Sequence, residues 1–417
     1  MREQWWLVLQ TSGAKIYWVL AMLLTSVITA RYLGPSGRGV FVAALGWVTM
    51  FSTLGHLSLG QVIIHIATRS GGEGDAWLPR VMGSALAVMG VVTIAGWSIC
   101  AGLYVASRGE TFQHIPAAVL AIAMLSLPLM MWIENGNGIL LAADRLPVMN
   151  LAQAVGATAT LLFTFCALEL LDLELKGALV ALVIAQVVIV VISLGYLLRR
   201  TPFLRPTRET TRELLSGGMK LHLNAVGTYL FTQANVLILN HYRPPRETAY
   251  YQLAVQLMTG LQIIPLAVSA VAYSLVTKLG PDDAWPRQKR LLFQVMALVA
   301  GISVVAYFVA PFAIGFVFGR DFLPTVPLFR LLLIGMLGMT LSIVMASQWI
   351  SRGLFLQAAG VTVAIGALTV IANLLVVPRY GSRGAAWVTV GTYAATMLVN
   401  VIMAFWVERV SRARVVV

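Results

Sequence analysis

Arg31-Tyr32-Leu33-Gly34-Pro35-Ser36-Gly37-Arg38-Gly39-Val40-Phe41 leads into a long apolar run, and His241-Tyr242-Arg243-Pro244-Pro245-Arg246-Glu247-Thr248-Ala249-Tyr250-Tyr251 leads into another. Tyr32 matches Tyr242, Pro35 matches Pro245, Phe41 matches Tyr251 and Ala44 matches Ala254, all at one offset of 210 residues in a chain of 417. A second echo, at an offset of 207, sets Lys176-Gly177-Ala178 against Arg383-Gly384-Ala385 and Asp144-Arg145 against Ser351-Arg352. Two echoes in the same order indicate that half of the chain repeats the other half.

Hydrophobic residues make up 59% of the chain and charged residues 11%, with a mean hydropathy of +0.85. Ordinary soluble domains carry about 25% charged residues, so the solvent for most of this surface is lipid. Twelve apolar runs fall near 14–31, 39–66, 80–105, 115–141, 148–171, 176–198, 214–240, 249–277, 290–318, 325–349, 354–377 and 384–407. Each is long enough to cross a hydrocarbon layer of about 30 Å as a helix. Strands of a membrane barrel would read as alternating segments of about ten residues. The expected fold is therefore all-α and integral to the membrane. Met1-Arg2-Glu3-Gln4-Trp5-Trp6 precedes the first run without a small-residue cleavage site, which predicts a retained span with tryptophans at the interface.

The net charge of +13 could suggest nucleic acid, but the basic residues are scattered over the connections between spans rather than gathered in a patch. With the N-terminus inside, nineteen of the 29 Lys and Arg fall on the cytoplasmic side and nine outside, with Arg330 within a span. That bias predicts cytoplasmic N- and C-termini. Cys100 and Cys166 both lie in predicted spans and offer no disulfide framework.

The polar stretch after the sixth span, rich in Arg, Thr and Pro, divides six spans from six. The expected organisation is an N-terminal lobe over 1–199, a basic cytoplasmic linker over 200–213 and a C-terminal lobe over 214–417. An even number of spans per half inserts both halves the same way round, as parallel repeats, and such pairs rock about a site held between them in carriers. The other connections are too short to hold a folded catalytic domain.

Polar side chains are costly in lipid and tend to face a bundle interior or a watery cavity. On the seventh span, His222, Tyr229, Gln233 and Asn240 share one helical face, while Asn224, Thr228 and Asn235 take another. Gln252, Gln256 and Thr259 on the eighth span, and Thr49, Thr53 and His56 on the second, continue the pattern. These residues predict a cavity between the lobes lined by spans 1, 2, 7 and 8; the competing reading is interhelical hydrogen bonding. Lys15, Lys220 and Arg330 give that cavity a positive sign suited to an anion such as a lipid phosphate or diphosphate, although Lys15 and Lys220 could equally snorkel to the interface. Glu134, in Trp132-Ile133-Glu134-Asn135-Gly136-Asn137-Gly138, is a candidate ion-coupling carboxylate. His56, His65, His222 and His241 lack metal-ligand spacing, and no glycine-rich nucleotide loop is present, so neither metal nor cofactor is expected.

Ala30 to Phe41, Leu57-Ser58-Leu59-Gly60-Gln61-Val62-Ile63-Ile64 and Val377-Pro378-Arg379-Tyr380-Gly381-Ser382-Arg383-Gly384-Ala385-Ala386 resemble corresponding segments of the bacterial polysaccharide-biosynthesis, or Wzx-type O-antigen, flippases. These belong to the multidrug/oligosaccharidyl-lipid/polysaccharide (MOP) exporter superfamily. The resemblance implies two six-helix lobes around a central cavity, alternating access and residence in the bacterial inner membrane. It also implies an undecaprenyl-diphosphate-linked oligosaccharide as substrate, moved from the cytoplasmic to the outer leaflet without catalysis, with polysaccharide polymerase machinery and membrane lipids as partners. A cation-coupled multidrug exporter of the same superfamily is the nearest alternative. A membrane polysaccharide polymerase or ligase would need a longer outer loop.

Overall fold

The computed structural model describes residues 2–69, 74–201 and 203–415, and every regular element among them is a helix. The chain forms two compact units, Met1–Val226 and Gly227–Val417.

In the first unit, α1 (Arg2–Gly55) would be about 80 Å long if straight, more than twice the hydrocarbon thickness. It is not straight. Gly34 leaves the helix with φ 62° and ψ −179°, and Pro35 restarts it. The Arg38 guanidinium donates to the Ser26 hydroxyl at 2.6 Å, twelve residues back, so the chain reverses here and α1 crosses twice. Only glycine takes this conformation without a side-chain clash. After the break at His56-Leu57-Ser58 come α2 (Leu59–Arg69), α3 (Leu78–Ala106), α4 (Ala117–Met124), α5 (Ser126–Ala142), α6 (Leu146–Phe165) with a closing π turn, and α7 (Glu174–Arg200). Their shared core holds Val48, Ile63, Met82, Leu127, Met131, Leu140 and Leu179, all buried.

The basic stretch after α7 is ordered against α3. Arg205 N–H bonds to the Pro79 carbonyl at 3.1 Å, and Thr207 N–H to the Ser84 hydroxyl at 3.2 Å. The Thr207 hydroxyl in turn accepts from Thr210 N–H at 3.2 Å, an N-cap that starts α8 (Arg208–Thr232). The boundary between the two units falls inside this helix, because its first part packs on α2: a Cβ at Gly217 would meet the Val62 side chain, and one at Gly218 the Leu57 carbonyl.

The second unit continues with α9 (Ala234–Tyr242), α10 (Pro245–Leu261), α11 (Ile263–Leu279), α12 (Pro281–Val317), α13 (Thr325–Ser351) and α14 (Phe355–Val415). The last of these repeats the device of α1: Gly381, at φ 57°, breaks it, and the Thr369 and Thr392 hydroxyls meet at 2.9 Å across the reversal. By length and apolarity alone, eight helices qualify as spans among the described residues, or nine with the bent pair α10 and α11. Two of the eight, α1 and α14, reverse at a glycine and so hold two span-length segments each, and α8 with α9 falls below that test's apolarity, a count roughly consistent with the twelve spans expected from the sequence.

The duplication is also written in the backbone. Gly109, at φ 85°, opens a 3₁₀ turn over Glu110–Phe112, and Gly319, at φ 102°, opens another over Arg320–Phe322, 210 residues later. Phe112 and Phe322 are each 1% exposed and anchor their turns. Glu174, at φ 50°, stands where Gly381 does at the 207 offset. The second span of each half is interrupted, at His56 to Ser58 in one and at Gln262 in the other.

Periodicity over the seventh span assumes a helix that the structure interrupts. The helix stops at Thr232 and restarts at Ala234, so Asn235 does not share the face of Asn224 and Thr228, which are exposed. Asn235 is buried: its amide donates to the Tyr251 hydroxyl at 2.8 Å and to the Thr389 hydroxyl at 3.2 Å, and its carbonyl oxygen accepts from the Asn373 amide at 2.9 Å. Interhelical bonds of this kind contribute about 0.6 kcal/mol each on average. The Tyr251 hydroxyl also bonds to the Thr389 hydroxyl at 2.8 Å, so Tyr251→Phe removes two such bonds and is expected to destabilise the second unit by about 1 kcal/mol, read as a lower melting temperature of the purified protein; an unchanged melting temperature contradicts this role.

Candidate functional site

The break in the second span sets two consecutive non-glycine residues at positive φ. Leu57 and Ser58 have φ of 49° and 50°, a left-handed conformation that non-glycine residues adopt at a cost of about 1–3 kcal/mol each. Neighbours hold it in place. The His56 ring accepts from Ser58 N–H through Nδ1 at 2.9 Å. The Asn135 amide donates to the His56 carbonyl at 3.3 Å, and its oxygen accepts from Gly60 N–H at 3.0 Å. One asparagine on α5 thus ties both sides of the break. Gly60 and Gly138 let the two helices approach backbone to backbone, with no room for a Cβ on Gly138.

From α8, His222 approaches the same break. Its ring stands edge-on to His56 with centroids 5.5 Å apart, and its Nδ1 lies 3.4 Å from the Ser58 hydroxyl. About two and a half turns earlier on α8, Glu213 pairs with Arg69 at the end of α2, at 3.7 Å. Arg208, Thr211, Arg212, Leu215, Ser216 and Met219 form one face of α8 beside a hollow of about 570 Å³. Its two arginines give the hollow a positive sign. In the sequence they read as linker charges; their i, i+4 spacing with Ser216 on the same stripe is the signal that places them on a helix face.

The family model described as polysaccharide biosynthesis protein matches residues 6–279. The chain belongs to that family. Solved structures agree on the fold. The lipid II flippase MurJ, in an inward closed conformation, superposes with a TM-score of 0.77 at 14% identity, covering 95% of this chain and 87% of that one. An inward-facing multidrug resistance MATE transporter of the MOP superfamily gives 0.74 at 15%, covering 95% of each chain. A MOP superfamily transporter from Pyrococcus furiosus gives 0.63 at 13%, covering 98% of this chain and 96% of that one. No curated protein sequence matches the chain. The fold is that of the MOP transporters, and the chain is a multi-pass membrane protein of the polysaccharide biosynthesis family.

In this polysaccharide biosynthesis protein the predicted site residues fall into separate groups. His56 joins His222 and the segment next to Glu134, whose own side chain is exposed. Lys220 and Asn224 are exposed on α8 on either side of His222, and Thr49 is half-buried a turn and more before the break. Within the second unit Tyr229 is buried, while Gln233, Gln252 and Gln256 are half-buried, Gln233 at the interruption between α8 and α9. Arg330 is engaged elsewhere: Nε donates to the Tyr307 carbonyl at 2.9 Å, and the guanidinium lies 4.3 Å from the centre of the Tyr307 ring, pinning α13 to α12. The side chain of Lys15 lies outside the described residues. Among the described residues no three His, Cys, Asp or Glu side chains gather as a metal site would require.

Proposed function

We propose that this carrier translocates an undecaprenyl-diphosphate-linked oligosaccharide from the cytoplasmic to the outer leaflet of the bacterial inner membrane. Two six-span lobes, 1–199 and 214–417 joined by the linker 200–213, alternate access to a cavity at their seam. Membership of the polysaccharide biosynthesis family carries the reading. The basic hollow on α8 supports it, since Arg208 and Arg212 suit a diphosphate, and so does the shared fold of a flippase whose own substrate is lipid II.

In this mechanism Arg208, Arg212, Lys15 and Lys220 attract the diphosphate while the polyprenyl tail remains in lipid. Asn224, Tyr229, Gln233, Gln252, Gln256 and Thr49 exchange hydrogen bonds with sugar hydroxyls as water leaves. Arg330, held by Tyr307, contributes to the field rather than to contact. No bond is made or broken, and the outward-turned glycan passes to polymerase machinery. The exposed Glu134 carboxylate favours ion coupling, and it is the observation that keeps a cation-coupled multidrug exporter as the second reading.

Charge-assisted hydrogen bonds contribute about 1.5–3 kcal/mol each. Lys15→Ala combined with Lys220→Ala is therefore expected to cut translocation of labelled lipid-linked glycan at least tenfold, with normal insertion and yield. Wild-type translocation by the double variant refutes the role given to these lysines.

A further inference from the structure

A second hollow, of about 620 Å³, lies wholly within the second unit between α12, α13 and α14. Its size falls in the range of about 300–1,000 Å³ typical of small-molecule sites. The two helices that wall it run in opposite directions and grade from polar to apolar in the same direction. On α12, Trp285 and Lys289 stand at one end and Leu292, Phe293 and Met296 follow inward; on α14, Glu408 and Arg409 stand at that same end, with Phe405, Val401 and Met397 inward.

The polar end is a built structure. Lys289 Nζ donates to both Glu408 carboxylate oxygens, at 3.2 and 3.0 Å, and Trp285 Nε1 donates to one of them at 2.6 Å. Glu408 is thereby balanced, and Arg409 adds a further positive charge to the same rim. Deeper in, Leu341 closes the floor at 3% exposure, while Phe293 and Phe405 flank the opening at 66% and 67% exposure, so the groove is open along its side. From Met397 to Arg409 the helix rises about 18 Å, somewhat more than half of a hydrocarbon core of about 30 Å.

A groove one leaflet deep, cationic at its head and apolar along its length, has the polarity of a single membrane lipid. We propose that it binds one anionic phospholipid, with the phosphate at Lys289 and Arg409 and an acyl chain laid along Met296, Leu341 and Met397. Basic pockets between membrane helices recognise anionic headgroups in this way. A transported polyprenyl chain would overrun a groove of this depth, which argues for a resident lipid of the leaflet nearest the C-terminus. The inference does not depend on what the carrier moves.

Native mass spectrometry of the purified full chain in detergent, titrated with phosphatidylglycerol or with phosphatidylcholine of the same acyl chains, tests it. A basic residue near the headgroup is worth about a fivefold preference. One phosphatidylglycerol should remain bound about fivefold or more tightly than phosphatidylcholine. Arg409→Ala, at an exposed position, should remove that preference and leave the fold intact, and Ala404→Trp, which fills the groove, should displace both lipids. Equal binding of the two lipids, or retention unchanged by both variants, overturns the proposal. So does one-for-one displacement of phosphatidylglycerol by undecaprenyl phosphate, which would make the groove a path for the transported tail.

Discussion

Gly138→Val is expected to leave little folded protein. At Gly138 the backbones of α5 and α2 meet, and a Cβ there would collide with the Cα and carbonyl of Gly60 rather than with a side chain able to move. Overpacked cores ordinarily lose about 1–3 kcal/mol, and a clash between two backbones has no rotamer through which to relax. To admit valine, α2 must move away from α5. That movement breaks the bonds from Asn135 to the His56 carbonyl and from Gly60 N–H to Asn135, which hold Leu57 and Ser58 in their left-handed conformation. The loss should appear as a collapse of the monodisperse peak in size-exclusion chromatography, with Gly138→Ala intermediate. A valine variant that elutes and melts like the wild type contradicts this account of the joint.

Arg352→Met should destabilise the second unit by about 3–5 kcal/mol, the usual cost of stripping one partner from a buried ion pair. The Arg352 guanidinium bonds to the Asp282 carboxylate with side-chain exposures of 8% and 10%, donates to Gln348 at 3.1 Å and faces the Trp406 ring at 5.3 Å. Gln348 passes the connection on to Gln288 at 2.6 Å, and Gln288 to Ser347 at 2.9 Å. Methionine fills the volume but removes the guanidinium that pairs with Asp282 where both side chains are about nine-tenths buried. Thermal unfolding in detergent should shift down strongly in Arg352→Met and recover in part when Asp282→Asn is added, because the second change removes the buried charge that lost its arginine. A single variant as stable as the wild type, or a double variant less stable than the single, contradicts the pairing.

The sequence was most legible where lipid imposes its rule. Backbone polar groups must be satisfied within each span, so the apolar runs became helices, some of them interrupted, and Gly34 and Gly381 marked two of the reversals. The duplication could be read from its polar loops. Its clearest structural echo, Gly109 to Phe112 against Gly319 to Phe322, leaves little trace in the sequence because only the glycine and the phenylalanine persist, and the positive φ that makes the glycine informative is not visible in letters.

The grouping of the candidate site residues was hard to read from spacing. Helical periodicity assumes an unbroken helix, and the interruption at Gln233 turned Asn235 from a cavity candidate into part of a buried network. Arg330 looked like a free cation because the carbonyl and ring of Tyr307, 23 residues away, are invisible to spacing. The pairing of Asp282 with Arg352 is hidden for the same reason, since a partner 70 residues away carries no local signature. The meeting of His56 with His222 likewise joins residues 166 apart, held together by the packing of glycines on α8 against the broken second span.

Reconstitution offers the most direct test. Proteoliposomes containing the full chain and a fluorescent undecaprenyl-diphosphate-linked oligosaccharide report headgroup crossing through quenching by a membrane-impermeant reductant. The protein is expected to carry the labelled headgroup across the bilayer at a rate well above empty liposomes, and Lys15→Ala with Lys220→Ala is expected to abolish most of that gain. Headgroups that stay in their original leaflet, while the same vesicles exchange an organic cation for sodium or protons, would contradict the lipid-linked substrate and identify a drug exporter instead.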